Sequence, residues 1–269
     1  MGNRMWRSGA VVAAAVAALG LVAGCSGGSD APDKESPANG AKAGTSAAKA
    51  LSTAELTELA LEQGDVEGFS IEKAAADDAG APPQGTKAEP AACSPYIGLA
   101  ARSAPGDPAG VVVRTATEQR KGGQGAPDGD GEVSAEDLDE LGKALDDALS
   151  AAVVRVSVAT YAGGGAADAM EELRSWTRSC SDGFTVAGQK QKVGGVSADE
   201  PLRGADEAVA FTVNVDIGGE ITPMARYTVY REGGLVAAFQ STNLSALAGE
   251  GDSADAPAPL VEAQLAKLG

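Results

Sequence analysis

Residues 209–241 read VAFTVNVDIGGEITPMARYTVYREGGLVAAFQS, the clearest structural signal in this chain of 269 residues. Apolar residues alternate with polar or small ones from Val209 to Ile217 and through Ile221–Arg231, the period of a strand with one buried face. Gly218-Gly219 and Gly233-Gly234 separate three such runs, and glycine pairs suit tight hairpin turns. The stretch therefore predicts a three-stranded antiparallel meander.

Helical signals flank this meander. Ser52-Thr53-Ala54-Glu55 is a capping box, and it begins a helix that should end at Gly64. Residues 166–179 have the best helical periodicity, which places Cys180 on the core-facing side. We expect one more helix to begin at Ser134, and the last to run from about Pro257 to Leu268. The leucines expected on the buried side of the Ser134 helix are Leu138, Leu141, Leu145 and Leu149.

Shorter alternating runs predict strands at 66–74, 111–119, 153–161 and 184–193. Helices flanking an antiparallel sheet predict an α+β fold. Because no internal repeat or second linker interrupts residues 51–269, we predict a single domain there. Residues 25–50 are rich in Ser, Gly, Pro and Ala, and they are predicted to be a disordered tether.

The N-terminus has the pattern of an export signal. Arg4 and Arg7 precede an uncharged run that is too short for a spanning helix. Leu21-Val22-Ala23-Gly24-Cys25 resembles the lipobox of bacterial lipoproteins, where the cysteine carries fatty acyl groups and becomes the first mature residue. This resemblance implies a signal peptide at 1–24 and a lipid anchor at Cys25, on the outer face of the cytoplasmic membrane. The alternative is an ordinary signal peptide, or a weak membrane helix, with an incidental cysteine.

Composition excludes several kinds of chemistry. The chain has no histidine, which removes His-based hydrolytic triads and most zinc sites. A net charge of −17 and 4% aromatic residues argue against nucleic-acid binding, which needs clustered cations and stacking rings. Residues 128–132 are acidic but lack the spacing of a calcium-binding EF-hand loop. We therefore predict no catalytic residues, no metal site and no cofactor.

Two cysteines remain once Cys25 is assigned to the lipid. In an exported protein, Cys93 and Cys180 most simply form a disulfide. The alternative is a redox pair, but these cysteines are far apart in sequence and lack the C-x-x-C spacing of redox motifs.

Arg226 and Tyr230 form the best local candidate for ligand binding. With Tyr227 and Arg231 they make up the chain's aromatic and cationic cluster, and alternation places Arg226 and Tyr230 on one face of their strand. The alternative is a polar sheet face packed with amphipathic side chains.

The lipobox, the tether, the opening helix and the run Trp176-Thr177-Arg178-Ser179-Cys180 at a helix end together resemble exported lipoproteins of high-GC actinobacteria. More narrowly, residues 51–268 resemble the PknH-like extracellular sensor domains of mycobacterial membrane kinases. This resemblance implies a helix-flanked antiparallel sheet with a cleft for an unidentified ligand. Those domains commonly carry two disulfides, whereas only Cys93 and Cys180 are available here.

The leading functional hypothesis is a lipid-anchored, non-enzymatic binding or sensing module for a small molecule or an envelope component. Two alternatives stay open. One is a hydrolase that acts on cell-wall sugar through paired carboxylates such as Asp199/Glu200 or Asp206/Glu207. The other is a structural partner in envelope assembly.

Overall fold

The computed structural model describes residues 49–74, 85–119, 138–139, 141–144, 150–188, 192–242 and 256–269. All of them fall within one unit, Thr45–Gly269. The predicted signal peptide, Cys25, the tether up to residue 48 and the acidic segment 128–132 lie outside the described residues. The signal peptide and the lipid anchor therefore stay predictions.

The predicted meander is part of a larger antiparallel sheet. Nine strands of the described chain pair in the order β1-β3-β4-β9-β8-β7-β6-β5-β2, and every neighbouring pair is antiparallel. The strands are β1 (Phe69–Lys73), β2 (Ala88–Glu89), β3 (Gly110–Glu118), β4 (Val153–Thr160), β5 (Phe184–Val186), β6 (Lys192–Asp199), β7 (Glu207–Ile217), β8 (Glu220–Glu232) and β9 (Leu235–Thr242). The meander is confirmed as β7, β8 and β9.

Helices with defined ends lie before, between and after these strands. They are α1 (Thr53–Leu59), a 3-10 helix (Ala91–Cys93), α2 (Pro95–Arg102), α3 (Gly165–Ser179) and α4 (Ala258–Leu268). The capping box is confirmed at α1: the Glu55 amide donates to Ser52 Oγ, and the Ser52 amide donates to Glu55 Oε2 at 2.7 Å. This exchange satisfies two backbone donors that a helix start leaves free.

The sheet has an apolar core on each face. Along β9, Val236 and Ala238 pack in the cluster that contains α2 and α3. Ala237 and Phe239 pack in a second cluster that contains α4. Because successive residues of a strand point to opposite faces, helices cover both sides of the sheet. The α+β prediction is confirmed.

Three local predictions are wrong. The first helix ends at Leu59 and not at Gly64, because Ala60 is already extended. Residues 184–193 form not one strand but parts of β5 and β6, which pair with each other through Phe184 and Val193. Gly188 lies in the turn between them with φ +86°, a left-handed conformation that favours glycine. Leu138 and Leu141 are helical as expected, but they are 58% and 55% exposed and so do not line a buried face. Ser134, Leu145 and Leu149, which belong to the same prediction, lie outside the described residues.

Polar side chains fix the extended segment that follows α1. The buried Gln264 of α4 accepts a hydrogen bond from the Leu61 amide at 3.2 Å and donates to the Leu59 carbonyl at 2.7 Å. Arg114 of β3 donates to the Leu61 carbonyl at 2.9 Å. Buried backbone groups must find such partners, so these side chains join the first helix to β3 and to α4.

Cys93 and Cys180 form a disulfide, as predicted. Their Cα atoms are 5.9 Å apart, and the two side chains are 0% and 1% exposed. The bond joins the end of the 3-10 helix to the residue that caps α3, across 87 residues of sequence. It therefore holds α2, which begins two residues after Cys93, beside the end of α3.

We expect reduction of this disulfide to lower the free energy of unfolding by about 4–5 kcal/mol, because a large loop of the unfolded chain is then released. Urea denaturation with and without a phosphine reductant measures the change. The double variant Cys93→Ala/Cys180→Ala is the control, since it should be destabilised without reductant and insensitive to it. An unchanged wild-type midpoint in reductant would contradict the prediction.

Candidate functional site

Aromatic rings fill the space between the sheet and α3. Trp176 of α3 packs edge-to-face on Phe211 of β7 with 5.1 Å between ring centroids, and Phe211 stacks on Tyr227 of β8 at the same separation. On the other side of Trp176, Tyr96 of α2 stacks at 6.1 Å and contacts Phe184. These contacts make a rigid base on which α2 and α3 lie side by side.

A cleft of about 850 Å³ opens on the outer side of this base, between α2 and α3. Such a volume suits a small organic ligand. Its floor includes Trp176, which is only 2% exposed. The remaining lining residues come from the 3-10 helix, α2, α3 and the neighbouring loops: Thr86, Ala91, Ala92, Ser94, Pro95, Ile97, Gly98, Arg102, Gly106, Asp107, Glu172, Ser175 and Ser179. The lining is small, apolar and hydroxyl-bearing along most of its length, and the charged residues are confined to three positions.

The loop that closes one end of the cleft is held in place by the sheet. Ser103 lies in the left-handed region with φ +55°, and its carbonyl accepts a hydrogen bond from Ser157 Oγ of β4. The Tyr161 hydroxyl donates to the Pro105 carbonyl at 2.6 Å. Gly106 approaches α3 so closely that a Cβ there would lie 3.0 Å from the Ala169 Cβ. These contacts fix the loop against α3.

Three charged side chains meet at this end of the cleft. Arg102 Nη2 donates to the Gly106 carbonyl at 2.8 Å, and Asp107 and Glu172 are exposed beside it. Burial raises the pKa of the Tyr161 hydroxyl, while nearby Arg102 lowers it and Asp107 and Glu172 raise it. All three charged groups therefore lie near the buried Tyr161 hydroxyl.

Arg226 and Tyr230 lie on the sheet face opposite the cleft. Arg226 Nε is 3.7 Å from Asp199 Oδ2, and Thr212 Oγ1 donates to the same oxygen at 2.7 Å. Tyr230 is 0% exposed and packs edge-to-face on Phe239. The structure thus places Arg226 in an ion pair and Tyr230 inside the core. A ligand-binding role for the two residues stays a prediction.

The predicted carboxylate pairs make contacts of their own. Glu207 accepts hydrogen bonds from Arg231 Nε at 2.8 Å and from Arg174 of α3, and Asp206 lies 3.4 Å from Arg231. Burial alone would raise the pKa of Glu207, but the hydrogen bonds from Arg231 and Arg174 outweigh it and hold that pKa below its usual value. A catalytic acid needs a raised pKa, so Glu207 is suited to an ion pair and not to proton donation.

Two kinds of feature are absent from the described residues. These residues contain no cluster of three or more Asp, Glu or Cys side chains that could hold a metal ion. No helix among them has the length and apolar character needed to cross a membrane.

Two mycobacterial proteins are among the solved structures similar to this chain. The extracellular domain of PknH from Mycobacterium tuberculosis aligns with 10% identity and a TM-score of 0.45, covering 82% of this chain and 95% of that one. An uncharacterised protein from Mycobacterium smegmatis, a Rv0999 ortholog, aligns with 13% identity and a TM-score of 0.35, covering 75% and 90% of the two chains. No family model and no curated protein matches the chain. The structural neighbours thus include a member of the family that the sequence resembles.

Sequence reasoning missed the residues that line the cleft. The helical periodicity correctly places Trp176 in the core, yet it does not show that the same ring lies under an open groove. Glu172, Ser175 and Ser179 recur at three- and four-residue spacing on the polar side of α3, which is the pattern of any solvated helix face. Gly106 is the one lining residue whose type is a specific signal in the sequence. Glycine readily adopts the left-handed backbone conformation and lets the backbone approach a neighbouring helix closely.

We expect Glu207→Gln to lower the free energy of unfolding at pH 7 by roughly 1–2 kcal/mol, since two arginines lose their charged acceptor. Glu207 has a depressed pKa in the folded state, so its contribution is present above the unfolded-state pKa of about 4.3 and lost as the pH falls through the folded-state value. Urea titrations of both proteins between pH 3 and pH 7 should therefore converge toward low pH.

The control for this titration is Glu171→Gln, which changes an exposed carboxylate of α3. It should leave the pH dependence of stability close to that of the wild type. A Glu207→Gln protein with the same acid sensitivity as the wild type would show that the ion pairs of Glu207 do not contribute.

Proposed function

We propose that this chain is a lipid-anchored, extracytoplasmic binding or sensing module that recognises a ligand without changing it chemically. Its site is the cleft between α2 and α3. The observation that carries the proposal is the cleft itself, a groove of about 850 Å³ whose walls are joined by a disulfide and whose floor is a packed aromatic base. A groove with rigid walls binds a ligand with little loss of conformational entropy.

The disulfide supports a location outside the cytoplasm. Disulfides persist in oxidising environments outside the cytoplasm, and Cys93 and Cys180 are paired and buried. The sequence predicts the same compartment independently, through the signal peptide and the lipobox that ends at Cys25. Together they favour a domain on the outer face of the cytoplasmic membrane, attached by acyl groups on Cys25.

The chemistry of the described residues supports binding over catalysis. Histidine is missing from the whole sequence, and the Asp206/Glu207 pair is engaged by Arg231 and Arg174. Glu207 is held as a carboxylate, so it does not supply the protonated acid that glycoside hydrolysis needs. The cleft offers contacts for recognition: hydroxyl groups, small apolar side chains and three charges.

Native mass spectrometry of the protein purified from its parent cells tests the binding site. We expect the wild type to retain a small-molecule mass, and Ser175→Tyr to lose it, because a bulky ring at this exposed lining position fills the cleft. Ala167→Tyr is the matched control, since it places the same ring on an exposed position of α3 outside the cleft. A mass that survives Ser175→Tyr, or no retained mass in the wild type, would count against the cleft.

The anchor is tested separately. Mass spectrometry of the N-terminal peptide should find Cys25 carrying diacylglycerol, and Cys25→Ala should leave the protein unlipidated and released from membranes. Two acyl chains hold a protein stably because each buried methylene contributes about 0.8 kcal/mol. An unmodified Cys25 in membrane-bound wild-type protein would refute the anchor while leaving the binding site untouched.

A further inference from the structure

One peptide bond in the loop at the end of the cleft has distinctive chemistry. Asp107-Pro108 is the single Asp–Pro pair in the sequence. Other Asp–X pairs rearrange when the nitrogen of X attacks the aspartate side chain, but a proline nitrogen carries no hydrogen and cannot do so. This nitrogen belongs to a tertiary amide, so it takes up a proton more readily than other peptide nitrogens and leaves more easily. An aspartyl carboxyl that reaches its own main-chain carbonyl carbon can therefore break the bond.

The structure leaves the carboxyl group of Asp107 free for this attack. The residue is exposed, and its side chain forms no hydrogen bond or ion pair with any residue that the structure describes. Rotation between staggered side-chain rotamers brings a carboxyl oxygen to the neighbouring carbonyl carbon, where attack closes a five-membered ring. Such an intramolecular attack gains rate because the two reacting groups are already held together.

The chain on either side of the bond is fixed. Before it, the Gly106 carbonyl accepts a hydrogen bond from Arg102 Nη2 at 2.8 Å. After it, the Ala109 amide donates to the Thr160 carbonyl at 2.8 Å. Neither hydrogen bond involves the peptide group between Asp107 and Pro108. Cleavage there would remove neither of them, so the two new chain ends would stay close to their present positions.

The disulfide joins the two pieces that cleavage would produce. Cys93 lies before the bond and Cys180 lies after it. The first piece would keep α1, β1, β2 and α2, and the second would keep β3 to β9, α3 and α4. Strand β1 pairs with β3, and β2 pairs with β5, at opposite edges of the sheet. A cut molecule would therefore remain one covalent unit with both strand pairings in place.

From these features we propose that Asp107-Pro108 is a self-cleavage site of the folded domain in acid. A side-chain oxygen of Asp107 bonds to the main-chain carbonyl carbon, and the bond from that carbon to the Pro108 nitrogen breaks. The carboxyl proton passes to the nitrogen. Water then opens the cyclic anhydride left on Asp107 and gives two carboxyl groups. The net change is the addition of a water molecule, so the reaction needs no cofactor and no oxidant.

Cleavage changes the end of the cleft. Gly106 and Asp107 line it, so the loop that closes this end becomes two chain ends. At neutral pH the cut adds a carboxylate at Asp107 and a secondary ammonium at Pro108. The inference does not depend on the proposed function, because it concerns the chemistry of the loop and not the ligand.

Incubation of the full-length protein between pH 3 and pH 5 tests the proposal. Near-ultraviolet circular dichroism selects the lowest pH at which the fold is kept. We expect two fragments on a reducing gel, one band on a non-reducing gel, and a new N-terminal sequence that begins at Pro108 with Pro-Ala-Gly-Val. A synthetic peptide of residues 102–113 is the unfolded reference. A folded protein that stays intact under conditions that cut this peptide would overturn the inference, and so would cleavage at a different bond.

Matched variants assign the chemistry. Asp107→Glu keeps the charge but lengthens the side chain, so attack must close a larger ring, and Pro108→Ala replaces the leaving nitrogen with that of a secondary amide. We expect each to slow cleavage by about 10-fold or more. Asp182→Glu is the control, since it makes the same exchange at an exposed position after α3 and should leave the rate unchanged. Urea midpoints report whether each variant is folded. A wild-type rate in folded Asp107→Glu would refute attack by the Asp107 carboxyl group.

Discussion

The bond between Cys93 and Cys180 is the constraint on which the candidate site depends. It fixes the start of α2 against the end of α3, and the two helices then run along a common base of stacked rings. At the other end of the cleft, Gly106 brings a loop within contact distance of Ala169. The disulfide at one end and the close backbone approach at the other thus fix the distance between α2 and α3. The groove between the two helices is therefore part of the folded structure.

Charge is used in two different ways in this acidic protein. On the side of α3 that faces β7 and β8, Glu207 is surrounded by Arg174 and Arg231, and these ion pairs join the helix to the sheet. At the cleft, Asp107 and Glu172 are exposed and form no ion pair with a described residue. Carboxylates of the first kind stabilise the fold, and those of the second kind are exposed to solvent beside the cleft.

Local patterns in the sequence predicted most of the fold. The capping box at Ser52, the alternation from Val209 to Ile217 and the periodicity that ends at Cys180 each depend on residues close together in the chain, and each is confirmed. The failures have a physical cause as well. Leu138 and Leu141 have the right spacing for a buried face, but periodicity cannot tell whether another element packs on it. Tyr230 packs on Phe239 in the core, a burial that depends on residues distant from its own strand, and its role at a ligand stays a prediction.

The sequence alone determined most of the helices and strands and the α+β class, because these follow from short-range periodicity. It also determined the pairing of Cys93 with Cys180, because very few cysteines are available. Tertiary structure decided where the cleft lies. The cleft is made by α2 and α3, which are more than 60 residues apart in the chain, and by a loop whose position depends on Ser157 and Tyr161 of another segment. The polar stripe of α3 looks the same whether it faces bulk water or a groove. Only the packing of α2 against the same aromatic base turns that stripe into the wall of a cleft.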